Sequence, residues 1–154
     1  MSVNKEKILG IDYGDFTIGL SIFDLETDFI CPLKTIYRNK ANILRKSIRE
    51  IVDVINEMNI SEIVIGFPLN ANGTEGDRVE KVKNFKRMLE NAIVNNEKAK
   101  NKVIKIEFQD ERLTTYEAKE ILKSRSVKKE DWKKDIDQIS ACIILNDFKQ
   151  AKKI

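Results

Sequence analysis

The chain has 154 residues, 42% of them hydrophobic and 34% charged, with a net charge of +3. That length suits one domain over residues 1–154 built on one core, and the balance excludes a disordered or membrane-embedded chain. Histidine is absent, which removes the commonest general base, the usual zinc ligand and any Ser-His or Cys-His pair. Chemistry must then rest on carboxylates, lysines, hydroxyls or a bound metal.

Lys7 to Asp12 is a nearly continuous apolar run that ends in an acid, as in a strand covered on both faces. Ile18 to Phe23 is a second such run, and the short link from Tyr13 to Phe16 predicts an antiparallel hairpin. Ile30 to Tyr37 reads as an edge strand, where Pro32 and its missing amide do least harm. Leu44, Ile48, Ile51, Ile55 and Met58 form one apolar stripe and predict a helix over 41–58. Ser61 to Gly66 is a compact buried strand. A helix from about Glu75 follows, striped by Val79, Val82, Phe85, Leu89 and Ile93. Val103 to Phe108 alternates as an edge or near-edge strand does, and Thr114 to Glu117 fits a capping box opening a helix through Lys123. Ser124 to Lys134 reads as a polar, mobile link. The last helix is expected to open near Asp135 or Asp137 and to carry Ile136, Ile139, Ile143 and Phe148. A meander followed by strand–helix alternation predicts an α/β fold, a five-stranded mixed sheet with helices on both faces.

Cys31 and Cys142 form no CxxC pattern, and Cys142 reads as a buried inert thiol. No signal peptide precedes the first strand and no apolar run reaches the ~20 residues of a membrane span. A cytoplasmic, reduced protein is expected, with no membrane partner.

Three acids stand out by position. Asp12 ends the first strand, Glu111 or its neighbour Asp110 follows the fifth, and Asp137 or Asp135 opens the last helix. In open sheets, ligands and chemistry gather beyond the carboxyl ends of the strands. Converging carboxylates repel unless a cation offsets them, and hard oxygen ligands without nitrogen or sulfur suit Mg²⁺ or Mn²⁺. Such ions support phosphodiester hydrolysis without histidine. Against this stand the ordinary roles of such acids as turn residues, surface ion pairs or helix caps. The loop from Asn70 to Gly76, with Gly73 and Thr74, can bring backbone close to a phosphate, with Thr74 capping the helix that follows. Arg112, Arg125, Lys128 and Lys129 are candidate phosphate contacts, and Tyr13 and Trp132 candidate stacking surfaces.

Four segments, in order, are similar to the YqgF/RuvX family, described as Holliday-junction-resolvase-like proteins or pre-16S rRNA nucleases. They are Gly10-Ile-Asp-Tyr-Gly14 with Ile18-Gly19; Gly66-Phe-Pro-Leu-Asn70 with Gly73-Thr-Glu-Gly76; Asp110-Glu-Arg-Leu-Thr-Thr115 with Ala118; and Ile136-Asp137 with Ser140-Ala141 and Ile143-Ile-Leu145. The resemblance implies a ribonuclease H-like fold with the first strand central. It maps the acidic positions, catalytic and metal-binding, onto Asp12, Glu111 and Asp137. It further implies cytoplasmic maturation of the 5′ end of pre-16S rRNA. Asp15-Phe-Thr17 departs from the Thr and basic residues that members often carry, which weakens the case for phosphate contact there.

Nucleic acid is therefore the expected partner, RNA first and branched DNA as the alternative, with the chain a monomer or homodimer. A junction resolvase usually has a fourth carboxylate one helical turn from Asp137, where this chain carries Lys134, Ser140 and Ala141. An actin-like or sugar-kinase ATPase needs a second related domain, for which there is no room. A non-catalytic nucleic-acid-binding regulator on the same fold is the remaining alternative.

Overall fold

The computed structural model describes residues 6–38, 44–70, 72–111, 114–125, 128 and 132–152, with only the backbone described at 114–115 and 132–135. Its five strands are β1 (Lys7–Tyr13), β2 (Thr17–Asp24), β3 (Phe29–Tyr37), β4 (Ile60–Phe67) and β5 (Lys105–Asp110). Its helices are α1 (Leu44–Glu57), α2 (Asp77–Val94), α3 (Thr114–Ser124) and α4 (Trp132–Lys152). The sheet order is β3-β2-β1-β4-β5, with β1 antiparallel to β2 and parallel to β4, and β4 parallel to β5. The five-stranded mixed sheet read from the sequence is the one observed.

Side-chain alternation along β1 divides the core. Leu9, Ile11 and Tyr13 face the layer of α1 and α2, where Ile51, Ile55, Phe85 and Leu89 pack. Ile8, with Phe23 and Val64, faces Ile144, Leu145 and Phe148 of α4. Because the strands are covered on both faces, β1 and β2 read as continuous apolar runs. Pro32 lies on the edge strand β3, opposite Ser21, where the register slips. A missing amide donor is tolerated there.

The stripes of α1 and α2 are buried as expected, with Ile48, Ile51 and Ile55 on one helix and all five predicted residues on the other. The last helix differs. It starts at Trp132, so Asp137 sits in its second turn instead of opening it, and the link after α3 is shorter than the polar composition suggests. Residues 126–127 and 129–131 of that link lie outside the described residues. Ile136 and Ile139 are only half-buried, whereas Ala141, Ile144 and Leu145 are inaccessible. The cause is double cover. Alpha-4 lies between the sheet and α3, whose Ala118 and Leu122 are also buried, so one stripe does not describe its buried surface.

Neither cysteine is paired; Cys142 is half-buried at the wall of a groove and not fully buried as expected, and desolvation there pushes its thiol up to about 12. Among the described residues no helix is long and apolar enough to cross a membrane.

Candidate active site

The face of the sheet beneath α4 carries the acids, and two glycines make room for them. Asp12 is one residue from the end of β1, on the face that the Ile8 position shares with α4. Its cross-strand partner on β2 is Gly19. A Cβ at Gly19 would fall onto the backbone carbonyl of Asp137, so only a bare α-carbon lets α4 bring Asp137 over the sheet beside Asp12. On the other flank, a Cβ at Gly66 of β4 would lie 2.8 Å from the Glu111 carboxyl carbon. Glu111 itself is pinned just past β5 by its amide, which donates to the Phe67 carbonyl at 3.1 Å. Three residues distant in sequence thus flank one strand end. We expect Gly19→Ala to cost about 1–3 kcal/mol through overpacking against backbone that has no rotamer to yield, read as a lower melting temperature. A variant that melts like wild type would show that α4 does not depend on this contact.

Asp12, Glu111 and Asp137 line a single cleft of about 310 Å³, together with Asn70, Asp77 and Arg78. A larger groove of about 570 Å³ between α1 and α2, lined by Arg45, Arg49, Asn91 and apolar neighbours, carries no carboxylate or nucleophile. Chemistry singles out the smaller one.

The electrostatics of the cleft are those of acids withdrawn from water. Burial, and then the neighbouring Asp137 charge, push the Asp12 carboxyl up to about 6. Burial, and then the Asp12 charge and a hydrogen bond to Asp12, push Glu111 up to about 9. Burial and mutual repulsion thus favour a proton shared by the pair over two charges side by side. The Arg78 guanidinium pulls both carboxyls the other way. Among the described residues no three acids close tightly on one point. The fit to a cation rests on donor chemistry. The Glu111 Oε1 is buried without a hydrogen-bond partner, and the site offers carboxylate oxygens with no histidine or thiolate. Hard divalent ions such as Mg²⁺ or Mn²⁺ match such a set.

Of the substrate-contact expectations, Asn70 lines the cleft. Gly73 does not; it turns the loop at φ 86° and donates its amide to the Asn70 carbonyl at 2.8 Å. Thr74 does not cap α2, whose N-cap is Gly76 without a side-chain hydrogen bond. The Thr74 hydroxyl is held inside the loop, donating to Asn72 Oδ1 at 2.6 Å and accepting from Asn70 Nδ2 at 3.0 Å. An extended bridge between Leu69 and Glu75 also delays the helix. Lys128 is exposed and outside the residues lining the cleft, and Arg125 lines a separate groove beside Cys142. Arg112, Lys129 and the Trp132 side chain lie outside the described residues. Tyr13 is not a stacking surface for a ligand. It is buried, with its ring on Phe85 at a centroid distance of 4.3 Å, because odd positions of β1 face α2.

Arg78 and Asp77 escaped the sequence pattern. The available signal was their position in the first turn after the glycine-containing loop. The mixed charges from Asp77 to Lys81 instead resemble an ordinary solvated helix start.

A family model described as RuvX, Holliday junction resolvase, matches residues 6–150. A protein of Carboxydothermus hydrogenoformans, named provisionally as a pre-16S rRNA nuclease, is 39% identical over 142 residues, covering 92% of this chain and 94% of its own. A similarly named protein of Malacoplasma penetrans is 37% identical over 149 residues, covering 97% of both chains. Among solved structures, T. thermophilus RuvC in complex with a Holliday junction substrate superposes with a TM-score of 0.54 at 10% identity, over 95% of this chain and 96% of that one. The fowlpox virus Holliday junction resolvase gives 0.53 at 12% identity, over 96% and 99%. At those identities the structural likeness bears on architecture alone, and the architecture is the ribonuclease H-like fold that the sequence motifs implied.

Proposed function

This chain belongs to the RuvX (Holliday junction resolvase) family, and from that footing we propose that it is a divalent-metal-dependent nuclease that hydrolyses phosphodiester bonds, acting on the 5′ end of pre-16S rRNA in the cytoplasm. The observation that carries this reading is the convergence of Asp12, Glu111 and Asp137 on one cleft, with two of the carboxyls strongly desolvated. Acids so placed are destabilising unless their charge is used.

Asp12, Glu111 and Asp137 would hold Mg²⁺ or Mn²⁺. A bound divalent ion supplies the Lewis acidity that makes phosphodiester hydrolysis feasible near neutral pH. The chain's own contribution is positioning. Arg78, at the amino-terminal end of α2, supports a reading in which it orients the substrate phosphate, helped by a first turn without a side-chain cap. Asn70 supplies an amide at the same wall. Arg78→Ala is expected to lower kcat/KM by roughly 10- to 100-fold, the loss of one charge-assisted contact of about 1.5–3 kcal/mol. Arg78→Lys should recover part of it, because a point charge replaces a planar fork. Equal rates for wild type and Arg78→Ala would remove Arg78 from the site.

The deciding experiment incubates the protein with single-stranded RNA spanning a pre-16S 5′ leader, and with a four-way DNA junction, in Mg²⁺, Mn²⁺ and chelator. Cleavage of the RNA that the chelator abolishes is the expected result. Selective cutting of the junction would move the substrate to branched DNA, and inertness toward both in either metal would leave a binding role.

A further inference from the structure

The rim beyond the acids carries two exposed aromatic rings that the hydrolytic reading leaves unexplained. Phe16, in the turn between β1 and β2, is 70% exposed, and Tyr37, the last residue of β3, is 60% exposed. Their placement follows from the register. Asp12 pairs with Gly19 and Gly19 with Thr35, so these residues form one row across three strands. Thr35 faces α4, because Gln138 Nε2 donates to its hydroxyl at 3.1 Å. Tyr37, two residues on, therefore stands on the same face one row further out, opposite Thr17. Strand spacing and rise put its α-carbon roughly 12 Å from that of Asp12. The ring and the acids share one face and one end of the sheet.

The turn that carries Phe16 is braced. Arg38 follows Tyr37 directly, and its amide donates to the Phe16 carbonyl at 2.7 Å. Its guanidinium is buried, donating to the Gly14 carbonyl at 2.6 Å and the Tyr13 hydroxyl at 3.2 Å. Arg38 Nε is left without a partner, so the brace leaves one buried donor unsatisfied. On the far side Lys81 of α2 pairs at 3.1 Å with Asp15, the residue before Phe16. Single exposed apolar residues are ordinary on a protein surface. Two aromatics on a fixed turn and a strand end, with a lysine paired to that turn and a carboxylate cleft beyond, are the elements of a single-strand binding surface, in which bases stack on rings and cations follow the backbone.

We propose that Phe16 and Tyr37 form a base-stacking platform that selects an unpaired stretch of RNA or DNA next to the bond to be cut. The proposal rests on the nuclease reading and deepens it: the substrate class is nucleic acid with accessible base faces, not closed duplex. Stacked bases in a duplex cannot offer those faces, whereas every unpaired base can, so the platform ignores sequence and is indifferent to the 2′-hydroxyl.

The test measures binding in chelator, so that nothing is cut. Fluorescein-labelled oligoadenylate, its deoxy counterpart and a blunt duplex of the same length are titrated against the wild-type chain and the Phe16→Ala/Tyr37→Ala variant. The variant should lose about tenfold or more in affinity for both single strands, the usual scale for base–aromatic stacking, while duplex binding stays within about twofold of wild type. Tyr37→Trp, made in a Trp132→Phe background so that it is the sole tryptophan, should bind the strands like its parent, and its emission should be quenched by them. Unchanged strand binding in the double variant, an equal loss for strand and duplex, or unquenched emission from Tyr37→Trp would each overturn the platform. The nuclease reading fails separately. Absence of metal-dependent cleavage with the binding contrast intact sinks the hydrolysis and leaves the platform, and metal-dependent cleavage without the contrast does the reverse.

Discussion

Replacing Asp12 with asparagine is expected to abolish metal-dependent cleavage and, in the same molecule, to stabilise the metal-free fold. The two effects share a cause. Asp12 is a desolvated carboxyl between Asp137 and Glu111, and its charge is opposed by burial and by Asp137. Asparagine keeps the shape and removes the charge. Cleavage should fall by roughly 10²–10³-fold or more, the scale of losing one preorganised electrostatic partner. The metal-free melting temperature should rise, by about 2–4 °C for each kcal/mol of repulsion relieved in a chain of this size. Steady-state cleavage in Mg²⁺ and thermal unfolding in chelator, on one preparation, read both. An Asp12→Asn protein that cuts like wild type would mean that the activity belongs to another group or to a contaminant. One that loses activity and stability together would point to misfolding. Only a rise in stability with a fall in activity matches a carboxylate kept for function at the expense of the fold.

The second large effect is a dependence of metal-free stability on pH whose sign is opposite to that of ordinary surface acids. The folded chain holds protons on Asp12 and Glu111 well above the unfolded values of 3.8 and 4.5. Between those values and about 9 the folded state therefore binds more protons than the unfolded one, and stability falls as pH rises. The contribution is complete below the unfolded values and is lost as pH climbs through the folded ones. Each tenfold tightening of proton binding on folding is worth about 1.4 kcal/mol, so the loss across the whole window is on the order of several kcal/mol. Melting temperatures in chelator from pH 5 to 9 measure it, and Glu111→Gln isolates it from the rest of the chain by flattening the slope. Divalent metal competes with the proton for the same oxygens, so added Mg²⁺ or Mn²⁺ should stabilise far more at pH 8 than at pH 5, by about 2.7 kcal/mol at a hundredfold excess over the dissociation constant. A wild-type slope that Glu111→Gln leaves unchanged, or a metal effect independent of pH, would show that these carboxyls do not share a proton.

Both expectations trace to the way small residues let distant segments meet. Gly19 admits Asp137 from one side of β1 and Gly66 admits Glu111 from the other. The space a side chain would take is filled at Gly19 by the α4 backbone at Asp137 and at Gly66 by the Glu111 carboxyl and Ile144. Polar groups buried this deeply cost folding energy unless they are paired, and the proton between Asp12 and Glu111 partly offsets that cost. The arrangement exchanges core packing for a charged pocket at the carboxyl end of the parallel strands.

Much of this was readable in the chain itself. The apolar runs of β1 and β2, the stripes of α1 and α2, and the edge position marked by Pro32 follow from periodicity and backbone chemistry, which are local and survive in any context. An acid near the end of β1 and another beside the end of β5 were legible for the same reason, but β1 runs one residue past Asp12 to Tyr13, and spacing alone left Asp110 and Glu111 open until the family resemblance chose between them. Properties that depend on what approaches from elsewhere were decided by folding. Alpha-4 begins five residues before Asp137, because α3 and the sheet cover it on two sides. Thr74 is drawn into its loop instead of capping α2, Tyr13 is buried against Phe85, and Phe16 and Tyr37 stand at the rim in its place. Arg78 enters the cleft from a helix start that reads as plain surface. Hydrophobic pattern reports which face of a segment is buried, but the charge state of a carboxyl is set by the distance to groups many residues away, and that distance exists only once the sheet has brought them together.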